Sequence, residues 1–178
     1  MSRHIALPLM SAIALLSATS AYAKAHPLKS DQARQAISEK VTSAPQRYQA
    51  SIDISAPVTE IYSYVSDSNK WVGWFPPYQS VELSADGARR TFTFADGTTT
   101  LTEELVIRNQ PHAFGWSFAP NNPLGVTDHL GLLTLEAKGE QVTVTLTTFY
   151  NHPDPSLVSP QFEGGGQLIL NKISERFK

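Results

Sequence analysis

The chain has 178 residues, 41% hydrophobic and 17% charged, with a formal net charge of −2. That is room for one domain with a real core, and too apolar a composition for a disordered chain. No basic excess exists to neutralise phosphates, so no nucleic-acid partner is expected, and the absence of cysteine excludes disulfides, thiolate-bound zinc and a thiol nucleophile.

Arg3 and His4 precede an apolar stretch from Ile5 to Ala18, and Ala21-Tyr22-Ala23 follows. A charged start, an apolar run and a small-x-small site read as a cleavable signal peptide over 1–23. The run is too short for a bilayer-spanning helix, which needs about 20 residues. A periplasmic or secreted product, cut after Ala23, is the expectation. Residues 24–45 are a polar N-terminal extension, in which Ser30 or Asp31 could cap a short helix carrying Ala33, Ala36, Ile37 and Val41.

The pattern changes at Gln46, where a domain over 46–178 begins. Tyr48, Ala50, Ile52 and Ile54 alternate with polar residues, which predicts a half-buried strand. Ser55, as a cap, and Pro57, in the first turn, then start a helix with the stripe Val58, Ile61, Tyr62 and Val65. Asn69 to Phe75 is a short aromatic helix or turn, stopped by Pro76-Pro77. Strands are predicted over Gln79–Ser84, Ala88–Ala95, Thr98–Arg108, His112–Phe118, Val126–Glu136 and Gln141–Tyr150. Short turns between them imply an antiparallel meander. After His152-Pro153-Asp154-Pro155-Ser156 a terminal helix carries Phe162, Ile169, Ile173 and Phe177 on one stripe. Gly164-Gly165-Gly166 lies inside it, so the helix either breaks there or approaches the sheet closely.

Asp96-Gly97 is a strong two-residue hairpin signal and fixes a register. With those residues as the loop, Ala95 faces Thr98, Phe94 faces Thr99, Phe92 faces Leu101 and Arg90 faces Glu103. Alternation then places Arg90 and Glu103 on one face with Phe92, Phe94, Leu101, Leu105 and Ile107, and Glu104 towards solvent. Two opposite charges on an apolar face are expected to pair.

The run Ile52-Asp53-Ile54-Ser55-Ala56-Pro57, the stretch Trp71-Val72-Gly73-Trp74-Phe75-Pro76, Gly87-Ala88-Arg89-Arg90 with Asp96-Gly97, Glu103-Glu104-Leu105 and the closing helix form a joint pattern. It resembles the START-like (SRPBCC) helix-grip superfamily, in particular its polyketide cyclase/dehydrase and lipid-transport group. The resemblance covers about Gln46 to Lys178. It implies an α+β fold: a curved antiparallel sheet of about six to seven strands wrapped around a long C-terminal helix, with two short helices after the first strand. It also implies an apolar cavity between sheet and helix, with the stretch around Trp71, Trp74, Phe75 and Tyr78 at its entrance. The triple glycine and the Asn121-Asn122 loop depart from the family pattern.

The preferred functional expectation is an exported protein binding a small hydrophobic or amphipathic molecule. Arg90 and Glu103 are its candidate polar groups. Trp71, Trp74, Phe92, Phe94, Trp116, Tyr150 and Ile169 are its candidate lining. A second reading is a cyclase or dehydratase with Glu103 as acid or base. A third is a non-catalytic accessory protein of a periplasmic oxidation system, acting through a protein partner. His129 lies on the face of Leu133 and Leu135, but Leu130 and Leu132 make the other face equally apolar, so its direction stays open. His112, His129 and His152 have no metal-ligand spacing relative to one another, and no metal or cofactor is expected. The triple glycine lacks the lysine and hydroxyl residue of a phosphate loop.

Overall fold

The computed structural model describes residues 44–178; the signal peptide and most of the N-terminal extension expected from the sequence lie outside the described residues. Strand β1 (Gln46–Ile54) leads into α1 (Val58–Ser66) and α2 (Ser68–Trp74). The meander β2 (Tyr78–Leu83), β3 (Arg89–Phe94), β4 (Thr100–Asn109), β5 (Ala113–Phe118), β6 (Thr127–Lys138) and β7 (Gln141–Asn151) follows. A 3-10 turn at Pro155–Leu157 then leads into α3 (Ser159–Arg176). The seven strands form one antiparallel sheet in the order β1-β7-β6-β5-β4-β3-β2. This is the helix-grip α+β architecture that the sequence predicts.

The helices pack on one face of the sheet. Ile61, Tyr62 and Val65 of α1, Trp71 and Trp74 of α2, and Ile169, Leu170 and Ile173 of α3 join Ile52, Phe92, Phe114, Trp116, Leu133, Val144 and Leu146 in the main core. A second cluster of Ile107, Ala113, Leu130, Leu132 and Phe149 lies on the opposite face, with Ala44 beside it. The sheet is therefore apolar on both sides in its middle.

Two local expectations are corrected. Ser55 does not cap α1: Pro57 occupies the cap position, and its carbonyl accepts from the amides of Glu60 and Ile61. Proline suits that place because it has no N–H to leave unpaired. Ile107 does not share a face with Arg90 and Glu103. The ladder to β5 shifts between Leu105 and Ile107, the latter pairing with Gly115. One extra residue in a strand reverses the alternation beyond it, so Leu105 packs on the main core and Ile107 on the other face.

The triple glycine does not break α3, which is continuous through it. A Cβ on Gly166 would run into the Tyr48 ring and reach Leu146 Cδ2 at 3.1 Å. Glycine there lets the helix backbone lie directly on β1 and β7. The closer alternative drawn from the sequence is the one realised.

Candidate functional site

The Asp96-Gly97 turn sets the site. Gly97 has φ +70°, the left-handed geometry such a loop requires, and the Asp96 carboxylate accepts from the amides of Thr98 and Thr99. The register follows as the turn dictates: Phe92 opposite Leu101, Arg90 opposite Glu103. Arg90 Nε donates to Glu103 Oε2 at 2.6 Å, and the two side chains are 0% and 3% exposed. Glu104, next along, is exposed.

The guanidinium is held in an unusual way. Its Nη1 and Nη2 are buried with no hydrogen-bond partner among the described residues. Aromatic faces stand in for acceptors: the guanidinium carbon lies 4.0 Å from the Trp71 ring centroid, 5.1 Å from Phe92, 5.6 Å from Trp116 and 5.7 Å from Phe114. A desolvated cation–π contact contributes about 2 kcal/mol. Burial pushes the Glu103 carboxyl up from its ordinary value, and the bonded Arg90 pulls against that. Burial and the neighbouring Glu103 carboxylate likewise raise the Tyr78 phenol.

In front of this pair lies a cavity of ≈ 380 Å³ between the sheet and α3. Its walls include Trp71, Phe75, Pro76, Pro77 and Tyr78 from α2 and the segment after it. Phe94, Leu101, Glu103, Trp116, Phe118, Leu146 and Thr148 come from the sheet, and Gln161, Phe162, Gly164, Gly165, Gly166 and Ile169 from α3. Of the residues singled out by sequence, Trp71, Phe94, Glu103, Trp116 and Ile169 stand in this wall. Arg90, Trp74, Phe92 and Tyr150 do not, and each has a reason. Trp71 covers Arg90. Trp74 packs behind Trp71, with ring centroids 5.0 Å apart, and donates its indole N–H to the Tyr64 hydroxyl. Phe92 lies under the Tyr78 ring, stacked at 4.3 Å. Tyr150 stacks at 4.3 Å on Phe162, which fronts the cavity in its place, and its hydroxyl meets Ser159 Oγ at 3.0 Å.

His129 resolves to the inner face. A shift in the β6–β7 ladder falls between Thr127 and Leu130, and Asp128 within it has φ +51°. Beyond it His129, Gly131, Leu133 and Leu135 point inward, and Leu130 and Leu132 outward. Gly131 is required, because a Cβ there would overlap the Trp116 indole. The His129 ring lies on Phe118 with centroids 3.6 Å apart and 5.5 Å from Phe162. It is 4% exposed, and its Nδ1 has no partner among the described residues. Burial alone drives its pKa from 6.5 to about 3, so the imidazole is neutral at physiological pH. Gln161, a wall residue, likewise has its Oε1 buried with no partner among the described residues.

Gln161, Thr148 and the loop residues Pro123 and Leu124 are wall positions that sequence reasoning missed. Gln161 precedes Phe162 of the α3 stripe, which was the one available signal. Pro123 and Leu124 lie in the loop after β5, where no periodicity operates.

The fold agrees with comparisons to known proteins. Residues 45–171 match the model of the polyketide cyclase/dehydrase and lipid-transport family, and the chain belongs to that family. No curated protein matches the chain in sequence. Among solved structures, protein XoxI from Bacillus cereus is similar over 73% of this chain and 94% of its own, at 20% identity and a TM-score of 0.63. A point mutant of Thalictrum flavum norcoclaurine synthase, in complex with a transition state analogue, is similar over 77% and 99% at 15% identity, TM-score 0.57. Aha1 from Colwellia psychrerythraea is similar over 72% and 93% at 14% identity, TM-score 0.55. At these identities the likeness is one of fold.

Proposed function

We propose that this member of the polyketide cyclase/dehydrase and lipid-transport family is an exported binding protein for a small apolar or amphipathic molecule held between the sheet and α3. The observation that carries the reading is the ≈ 380 Å³ cavity with its mostly aromatic and aliphatic wall and few polar groups. Sites for small ligands have this volume and make-up: burial against apolar walls supplies affinity, and a few polar atoms fix orientation. The signal-peptide pattern at 1–23 supports export.

The state of Glu103 favours binding over acid–base chemistry at that residue. A proton-donating Glu103 would leave Arg90 as an uncompensated buried cation, which is strongly unfavourable. The 2.6 Å contact is instead the geometry of a charge-assisted hydrogen bond.

Native mass spectrometry tests the reading, on mature protein purified from the cells that make it. The expected result is an adduct that ejects on activation and extracts as an apolar or amphipathic small molecule. A protein that emerges at its bare mass, and whose tryptophan fluorescence fails to respond to a panel of apolar compounds, would overturn it.

A further inference from the structure

An antiparallel sheet with helices on one side ordinarily turns its other side to water, and its strands then alternate apolar and polar. The far face of this sheet departs from that pattern. Leu130, Leu132 and Thr147 on it are 0% exposed, and Ser51, Ala113 and Ile107 are also buried. These residues run from β1 through β7, β6 and β5 to β4. That is four strand spacings, or about 19 Å. The three helices of the described residues all pack on the opposite face. The burial is nevertheless that of a single chain.

Among the described residues, Ala44 is the one member of the far cluster that comes from outside the sheet. It is also the first described residue. The carbonyl of Pro45, next along, accepts from the Tyr150 amide at 3.4 Å. The chain therefore enters β1 lying on this face. Immediately before Ala44 runs the N-terminal extension. Its Ala33, Ala36, Ile37 and Val41 recur at helical spacing and share one side of a helix, with Gln35 on the opposite side. A helix over 31–43 would be about 20 Å long, which matches the width of the buried patch.

We propose that residues 31–43 cross the far face of the sheet from β1 to β4 as an amphipathic helix. The side that carries Ile37 lies against the patch of Leu130, Leu132 and Phe149. The domain then has three layers, helix on sheet on helix, and the extension is part of the fold rather than a tether. The site is on the side of the sheet away from the cavity and does not depend on the cavity's use. A second copy of the chain is not the occupant: an interface between copies would leave the patch open in the single chain, and there it is closed.

The chain has no cysteine, so one introduced thiol reports one place. Thr147→Cys in the mature chain puts a thiol between Leu132 and Gln49, in the middle of the patch. Ser80→Cys puts one at an exposed strand position as reference. Labelling of the folded proteins by a water-soluble maleimide is followed by mass. The Thr147→Cys thiol should react about a hundredfold more slowly than the reference, because it must wait for the cover to open. Adding Ile37→Asp should bring its rate to within about threefold of the reference. Emission from Trp71, Trp74 and Trp116, all in the core of the other face, should stay as in the parent, which shows that the domain is folded. Ile37→Ala is the milder variant, for use if the charged one unfolds the domain, and should give an intermediate rate. Gln35→Asp, on the opposite side of the helix, should leave the protection intact. A Thr147→Cys thiol that reacts like the reference from the start, or whose protection survives both Ile37 variants, would overturn the proposal. Protection that disappears on dilution, together with a fall in mass by light scattering, would also overturn it and assign the cover to a second copy.

Discussion

The neutral, buried His129 should make the protein acid-sensitive in a defined window. Its pKa falls from 6.5 in the unfolded chain to about 3 in the native site, because burial disfavours the imidazolium. Above about pH 6.5 the ring is neutral in both states and adds no pH dependence. Below it, the unfolded chain takes up a proton that the native site refuses until about pH 3, so stability falls as pH drops through that window. The slope is about 1.4 kcal/mol per pH unit, and integration from pH 7 to pH 5 gives a loss of about 2 kcal/mol. The assay is urea denaturation at both pH values, on wild type and on His129→Phe. Phenylalanine keeps the ring against Phe118 and Phe162 and removes the titrating atoms. Glu103, pushed up by burial, acts in the opposite sense, since its native carboxyl holds a proton more readily than the unfolded one. That contribution is common to both proteins and cancels in the difference. Wild type should lose about 2 kcal/mol more than the variant between pH 7 and pH 5. Equal losses would show that His129 is not held neutral in the native site.

Three further outcomes follow from the packing. Glu103→Gln strands the Arg90 cation and should cost about 3–5 kcal/mol by urea denaturation, while the double variant Arg90→Met/Glu103→Leu should recover most of it; a single variant within about 1 kcal/mol of wild type would refute the account of the pair. Within the triple glycine, Gly165→Ala meets only Phe75 at an ordinary 3.4 Å and should stabilise by up to about 1 kcal/mol. Gly166→Ala collides with Tyr48 and should destabilise by up to about 2 kcal/mol, overpacking outweighing the gain in helix propensity; thermal melts of the two variants must move in opposite directions. Gly131→Ala drives a methyl into the Trp116 indole and should cost about 1–3 kcal/mol, with a shifted tryptophan emission as the independent sign that the ring has moved.

What the sequence disclosed, and what it hid, divides along one physical line. Where a turn type fixes the register, as Asp96-Gly97 does, side-chain positions several residues away follow from alternation alone, and the Arg90–Glu103 pair is legible before any coordinates. Where an irregularity intervenes, alternation misleads: the shift before Ile107 sends that residue to the other face. Where both faces of a strand are buried, alternation carries no sign at all. Leu130 and Leu132 on one side of β6 and Leu133 and Leu135 on the other read as one continuous apolar run. That is why the direction of His129 stays open in the sequence. The lining shows a related limit. Trp71, Trp74 and Phe92 point into the main core and Tyr150 into a separate cluster with Val126 and Val158, yet only Trp71 of the four reaches the cavity, because depth behind another ring is a property of packing and not of period. The same layering gives the ion pair its direction. Trp71 stands between the guanidinium and the cavity, and Glu103 stands in the wall. A pair that is neutral in sum therefore presents its acceptor side to whatever enters, and a buried arginine becomes the means of holding a carboxylate ionised in an aromatic pocket.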